Sequence, residues 1–208
     1  MDFTINLLGV CTYMDVLTAI STRRSIGVVK PDPVPTELIN KILEAGTWAP
    51  SHHRTEPWKF FVLTGDARKK LGNTLASILE STLEVPLSEE GKKRLEKEAA
   101  KPLRAPVIIA AAVEPTINDK VLINEEYAAV NAAIQNMLLA AHALGLGRVW
   151  RTGKVCYSPE IKQLFGLSDK GEMLGFIYLG YPNMKEIRGK RKHYSEVTKW
   201  FDRDEQFS

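Results

Sequence analysis

Cysteine is scarce in this chain: among 208 residues there are two, Cys11 and Cys156. Two thiols build neither a disulfide framework nor a four-ligand zinc site, so the fold must rest on buried apolar surface, and a reducing compartment fits best. Long hydrophobic runs are missing too. No stretch approaches the roughly 20 apolar residues that a membrane-crossing helix needs. The opening segment MDFTINLLGVCTYM has an acidic Asp2 where a secretory signal has basic residues, and LLGV is too short for its apolar stretch. Residues 1–13 therefore read as an N-terminal extension before Met14, an alternative start, and residues 14–208 as a single domain of a cytoplasmic protein. Nor is there an excess of one charge. Lys and Arg number 28 against 25 Asp and Glu, a net of +3, which leaves no electrostatic footprint for a nucleic-acid partner.

Familiar catalytic motifs are absent as well. There is no HExxH, no phosphate-binding P-loop, no Ser-His-Asp order and no Cys-His pair in a fitting context. Gly145-x-Gly147 begins like a dinucleotide fingerprint, but Trp150 stands at the sixth position and the Rossmann reading fails. Cys156 is read as structural.

What is present is an ordinary globular composition, 44% hydrophobic and 25% charged, in a chain long enough to bury a core. Val16, Leu17 and Ile20 form a short helical pattern. Leu38, Ile39, Ile42 and Leu43 mark an amphipathic helix that Gly46 and Pro50 end. Trp58–Leu63 is an aromatic-rich strand; 67–83 and 88–101 are polar helices. VIIAAAV after Pro106 reads as a strand buried on both faces. Residues 121–144 carry the strongest helix signal, rich in alanine. Arg148–Arg151 is a strand edge, Ser158-Pro159 opens a short helix, and Met173–Leu179 is a buried strand. The pattern predicts an α+β domain with about four strands in a small sheet flanked by helices. Val197, Trp200 and Phe201 follow the last core strand and need a surface to pack on, for which a second subunit is one candidate.

Three segments carry donors suited to a site. Arg23-Arg24-Ser25 follows a helix, and paired guanidiniums with a hydroxyl suit a phosphate, although an arginine pair at a helix end is more often simply solvated. Arg188, Lys190, Arg191 and Lys192 are a second basic group. Pro50-Ser51-His52-His53-Arg54-Thr55-Glu56-Pro57 is a donor-crowded loop between two prolines; adjacent histidines are poorly placed to share a metal ion, so no metal is expected. Gly145 to Gly153 sets glycine-flanked backbone beside Trp150, Arg151 and Thr152, which suits the edge of a flat heterocycle; Trp150 as plain core remains open.

These segments, MDVLTAISTRRS, AGTWAPSHHRTEPWKFFVLTG, AAIQNMLLAAHALGLGRVWRTG and MLGFIYLGYP with the basic tail, in this order and spacing, resemble the nitroreductase family of flavoproteins. The resemblance runs from Met14 to about Phe201. It implies an α+β sandwich with a small mixed sheet, terminal segments exchanged in an intimate homodimer, and one FMN at each of two interface sites. By position, Arg23, Arg24 and Ser25, joined by Arg191, would hold the FMN phosphate and ribityl end. Ser51 and His52 would lie against the flavin, and Trp150, Arg151 and Thr152 would approach it. Arg54 stands where many relatives have Asn, which puts its reach toward the ring in question. Gln135 and Asn136 match a pattern that reads as structural packing.

The implied activity is ping-pong hydride transfer from NADH or NADPH through flavin to a small organic electron acceptor such as a nitroaromatic or quinone, with no catalytic side chain required. Membrane and nucleic acid are not expected as partners. Two alternatives stand beside it: a same-fold flavoenzyme of other chemistry (dehalogenase, enone reductase or dehydrogenase), with the discriminating residues in the variable stretch 81–104, and a non-enzymatic FMN-binding or regulatory protein.

Overall fold

A computed structural model describes residues 14–185 and 187–202 of the chain. The expected extension 1–13 and Cys11 lie outside the described residues.

The chain opens with α1 (Val16–Thr22), whose first turn is capped by the Asp15 carboxylate accepting from the N–H groups of Leu17 and Thr18, both at 3.0 Å. After a proline-rich connector, α2 (Thr36–Thr47) presents Ile39 and Ile42 inward, and β1 (Trp58–Leu63) follows the Pro50–Pro57 loop. α3 (Ala67–Glu80) and α4 (Glu89–Ala99) form a helical hairpin so tight that a Cβ on Gly72 would run into the carbonyl of Ala99. β2 (Val107–Val113) is buried along its whole length. α5 (Ile123–Ala143) is the long alanine-rich helix; β3 (Gly147–Arg151), α6 (Pro159–Phe165) and β4 (Glu172–Gly180) complete the set. α6 starts as its residues dictate, with the Ser158 hydroxyl accepting from Ile161 N–H and Pro159 in the first turn, and Gly166 closes it at φ 62°.

The strands form one sheet in the order β1-β2-β4-β3. Every pairing is antiparallel, where the sequence reading expects a mixed sheet. Two connections explain this. The α3–α4 hairpin returns the chain to the end of β1 that it left, so β2 pairs antiparallel. α5 carries the chain from β2 to β3 in the same direction, but β4 inserts between them and no parallel ladder forms.

Alternation along β2 divides the core into two layers. Val107, Ile109, Ala111 and Val113 meet α2 and α5 on one face; Ile108, Ala110 and Ala112 meet α3 and α6 on the other. Full burial of a single isoleucine here contributes about 1.5–3 kcal/mol, so β2 is the mechanical centre on which both helical layers rest. The small alanines let α5 lie close to the sheet, and that closeness sets the position of the loops at both of its ends.

Apolar surface is left over outside these layers. Val16, Leu17 and Ile20 on α1 and Val197, Trp200 and Phe201 in the tail are exposed, Leu17 at 73% and Trp200 at 84%. The stretch 194–201 holds a single 3-10 turn, Tyr194–Val197, followed by extended chain.

Candidate functional site

α1 stops because Arg23 leaves helical geometry at φ −57°, ψ 129°, and the chain continues as an extended segment along β3. Ile26 N–H donates to the Arg148 carbonyl at 2.8 Å, and Gly27 lies beside the guanidinium of Arg151. Arg24 Nη1 donates to the carbonyls of Ser21 at 2.7 Å and Arg23 at 2.8 Å, while its Nε is buried with no hydrogen-bond partner. The basic tail closes on the same place. Gly189 packs so near Arg24 that a Cβ would collide with the guanidinium, and Arg191 acts on Arg23 through its charge.

The result is a concentration of like charge. Burial, then Arg191, then Arg24 push the Arg23 guanidinium below the ordinary arginine range. Arg148 is 3% exposed; burial first and Arg23 second pull it down to about 10. Its Nη1 donates to the Leu146 carbonyl at 3.0 Å, but Nε and Nη2 have no partner. Among the described residues none of these arginines is in an ion pair. A cavity of about 610 Å³ lies between α1, the end of α5 and the tail, bordered by Thr22, Arg24, His142, Arg148 and Arg188, with no carboxylate among its described lining residues. Ser25 is exposed at the edge of this region.

The Pro50–Pro57 loop forms a second part. His53 and Arg54, both at φ 55°, and Glu56 at φ 48° occupy left-handed backbone, a conformation that costs such residues roughly 1–3 kcal/mol each and persists only when surroundings impose it. The imposing contact is Glu126, buried at 1% exposure on α5. One of its oxygens accepts from the Thr55 hydroxyl at 2.5 Å, the other from Thr116 N–H at 3.0 Å. Since Thr55 sends its proton to that carboxylate, the Ser51 hydroxyl, 3.1 Å away, donates to Thr55, and Ser51 Oγ accepts from Glu56 N–H at 2.9 Å. The direction of every hydroxyl in the loop is thereby set.

Ser51 and His52 border a shallow cleft of about 540 Å³ whose floor is Ala128, Ala129 and Ala132 of α5. His52 Nε2 stands 3.5 Å from Glu125 Oε2, which makes no hydrogen bond. Arg54 is exposed beside it. An alanine floor is flat and apolar and matches the face of a planar ring.

β3 carries the third part, and its alternation splits it. Trp150 packs on the α5 side, with its indole N–H donating to the Leu174 carbonyl at 3.2 Å. That carbonyl is available because β4 carries an extra residue there opposite Ala111 and Ala112. Arg151 lies on the other side, its guanidinium 5.1 Å from the centre of the Tyr178 ring and its Nε unpartnered. Thr152 is exposed just beyond.

Within one chain, then, Arg23, Arg24 and Arg191 gather around the start of the extended segment with Arg151 beside Gly27, and Thr152 is exposed at the end of β3. Ser51, His52 and Arg54 do not join them. They sit beside Ala128–Ala132, and the arginine cavity borders His142, roughly 15 Å further along α5 at 1.5 Å per residue. Two residues that shape the site escaped the sequence reading. Glu126 falls on the helical face of Val130, Ala133 and Met137, so a carboxylate on a buried stripe was the available signal; Arg148 interrupts a buried strand with a charge. Cys156 is buried, and burial pushes its thiol up to about 11, which suits a structural residue. Among the described residues no group of three His, Cys, Asp or Glu side chains is placed to hold a metal, and no helix is long and apolar enough to cross a membrane.

The family model described as "Nitroreductase family" matches residues 20–181. YdjA of Escherichia coli, which bears the name of an NAD(P)H nitroreductase, is 35% identical over 173 residues, covering 83% of this chain and 91% of its own. A nitroreductase-like protein from Bacillus cereus superimposes with a TM-score of 0.77 at 29% identity, over 93% of this chain and 99% of the other. A nitroreductase from Desulfovibrio desulfuricans, solved in complex with FMN, gives a TM-score of 0.65 at 30% identity, over 90% and 96% of the two chains.

Proposed function

The chain belongs to the nitroreductase family, and from that premise we propose that it is an FMN-dependent oxidoreductase that passes electrons from NADH or NADPH to a small organic acceptor. The observation that carries this reading is the cluster of Arg23, Arg24 and Arg191, in which the buried Arg24 Nε has no partner and the adjoining cavity has no carboxylate among its described lining residues. Such an arrangement lacks a polyanion of about two charges, which is what a phosphate monoester supplies.

The residues present fit the cofactor at each of its ends. Arg23, Arg24, Ser25 and Arg191 would hold the phosphate. The cleft over Ala128, Ala129 and Ala132 offers an apolar floor for a ring system, with Ser51, His52 and Arg54 as its polar rim. Thr152 and Arg151 add donors at the end of β3, and Trp150, fastened to Leu174, holds that strand in place. FMN, when bound, supplies the two-electron chemistry, so the protein needs no acid–base residue of its own for hydride transfer.

The chain's own groups orient and select. Ser51 donates to Thr55 and accepts from Glu56 N–H, so toward the cleft it has a lone pair to offer and acts as an acceptor for an imide-type N–H. The guanidinium charge of Arg151 favours electron density arriving nearby. The small alanine side chains leave room on one face of the cleft for a second flat molecule; donor and acceptor would occupy it in turn, a ping-pong order.

Because the Ser51 loop and the arginine cluster lie at separate places along α5 of one chain, a complete site is best served by two chains. The exposed apolar residues of α1 and of the tail suit a homodimer contact. In the test of the electron-donor reading, the flavin-loaded protein is mixed anaerobically with NADH and, separately, NADPH. Bleaching of the visible flavin band by at least one of them is expected; no bleaching by either refutes the reading.

A further inference from the structure

Arg148 is not among the residues assigned above to the cofactor, and its surroundings in the chain are electrostatically poor. It is 3% exposed, one nitrogen is satisfied by the Leu146 carbonyl, and two nitrogens find nothing. A buried cation with no partner is strongly unfavourable, and proteins normally avoid it by pairing or by substitution. Here the nearest charges make matters worse, since Arg23 acts on Arg148 as a like charge and Arg24 and Arg188 border the same cavity. Thr22 and His142, also on that border, bring hydrogen-bonding groups and no carboxylate. The backbone fixes Arg148 in this place, because its carbonyl accepts from Ile26 N–H in the segment that carries Arg23 and Arg24.

We propose that Arg148 is a further binding residue for the phosphate of the flavin nucleotide, held unpaired on β3 so that the arriving dianion satisfies its free guanidinium edge. The proposal rests on the FMN reading and adds to it a source of selectivity. A residue whose only missing partner is an anion contributes to the phosphorylated cofactor and nothing to riboflavin. It also makes the empty protein less stable than the loaded one by more than ordinary ligand binding at a neutral site, since loading relieves a repulsion as well as making contacts.

Opposite signs in two measurements test it. Arg148→Met is close in volume and unbranched, and removes the charge; Arg148→Gln keeps a polar end as a second variant. Apoprotein of each variant is expected to melt a few degrees above wild-type apoprotein, because an unpaired buried charge is gone. Its Kd for FMN is expected to rise about 10- to 100-fold, while its Kd for riboflavin stays within about threefold of wild type. Inorganic phosphate should raise the melting temperature of wild-type apoprotein more than that of either variant. If both variants bind FMN as wild type does, or if both apoproteins melt below wild type, Arg148 serves the fold and the proposal is overturned while the FMN reading stands. Wild-type protein that takes up neither FMN nor riboflavin overturns both together.

Discussion

The N–H of Ile26 donates to the carbonyl of Arg148 at 2.8 Å, and this single bond ties the arginine-bearing turn after α1 to the strand that carries Trp150 and Arg151. Segments more than 120 residues apart in sequence are thus fixed side by side by the backbone itself. Preorganisation of this kind is what a binding site for a charged group requires, because repulsive cations do not assemble unaided.

Removing the paired cations should show that relation directly. Arg23→Ala and Arg24→Ala each delete a charged donor to the phosphate, and such bonds contribute about 1.5–3 kcal/mol. Each single variant is expected to weaken FMN retention roughly 10- to 100-fold, and the double variant to purify without flavin. Equilibrium dialysis against FMN measures it; an unaltered affinity shows that the phosphate lies elsewhere.

Glu126 is expected to behave as a clamp on the Ser51–Glu56 loop. Glu126→Ala takes the carboxylate acceptor from the Thr55 hydroxyl, which is left with the His52 carbonyl at 3.3 Å, and from the Thr116 N–H, at about 1–3 kcal/mol in all. Thermal melting should fall by roughly 2–4 °C per kcal/mol in a chain of this size. Glu126→Gln keeps one acceptor and is expected to lose less. Equal losses in the two variants show that volume and not hydrogen bonding holds the loop.

Cys156 gives a pH dependence whose sign follows from burial. Its folded thiol titrates near 11 against an ordinary value of 9.0, so the unfolded chain releases its proton first. The contribution to stability is whole below pH 9 and is lost as pH rises through 11. Urea midpoints measured from pH 8 to 11 should fall more steeply for wild type than for Cys156→Ala. At pH 8 a Cys11→Ser chain should react with a thiol reagent only as fast as it opens, given a side chain 1% exposed; fast labelling contradicts the burial.

The tail and α1 provide a test of association. Trp200→Ser together with Phe201→Ser removes two exposed aromatic groups of the tail. Sedimentation velocity on wild type is expected to show a dimer at micromolar concentration, and on the variant a shift toward monomer with loss of flavin. A monomeric wild type contradicts the two-chain site.

Much of this structure was legible from residue patterns. Trp58–Leu63 and the VIIAAAV strand announce themselves by aromatic and continuous apolar character, and Ser158-Pro159 by its cap, because those features depend on a few adjacent residues. Strand direction was not legible. Whether β4 lies beside β2 or outside β3 depends on packing across the whole sheet, and a local pattern holds no trace of it. The arginine pair was visible as a candidate and the family resemblance joined Arg191 to it, but the approach of Arg148 to Arg23 came only from the structure. Glu126 and Arg148 stayed hidden for a common reason: charged residues on amphipathic elements are normally solvated, and only the three-dimensional structure shows that these two are not.

Occupancy of the arginine cluster by a flavin phosphate is the requirement on which the proposed function rests. Purified protein is therefore reconstituted with excess FMN, passed through a desalting column, and its flavin content measured by absorbance after denaturation. The account predicts a yellow protein with close to one FMN per chain. A colourless protein that retains no FMN, while folded and at its native association state, contradicts it.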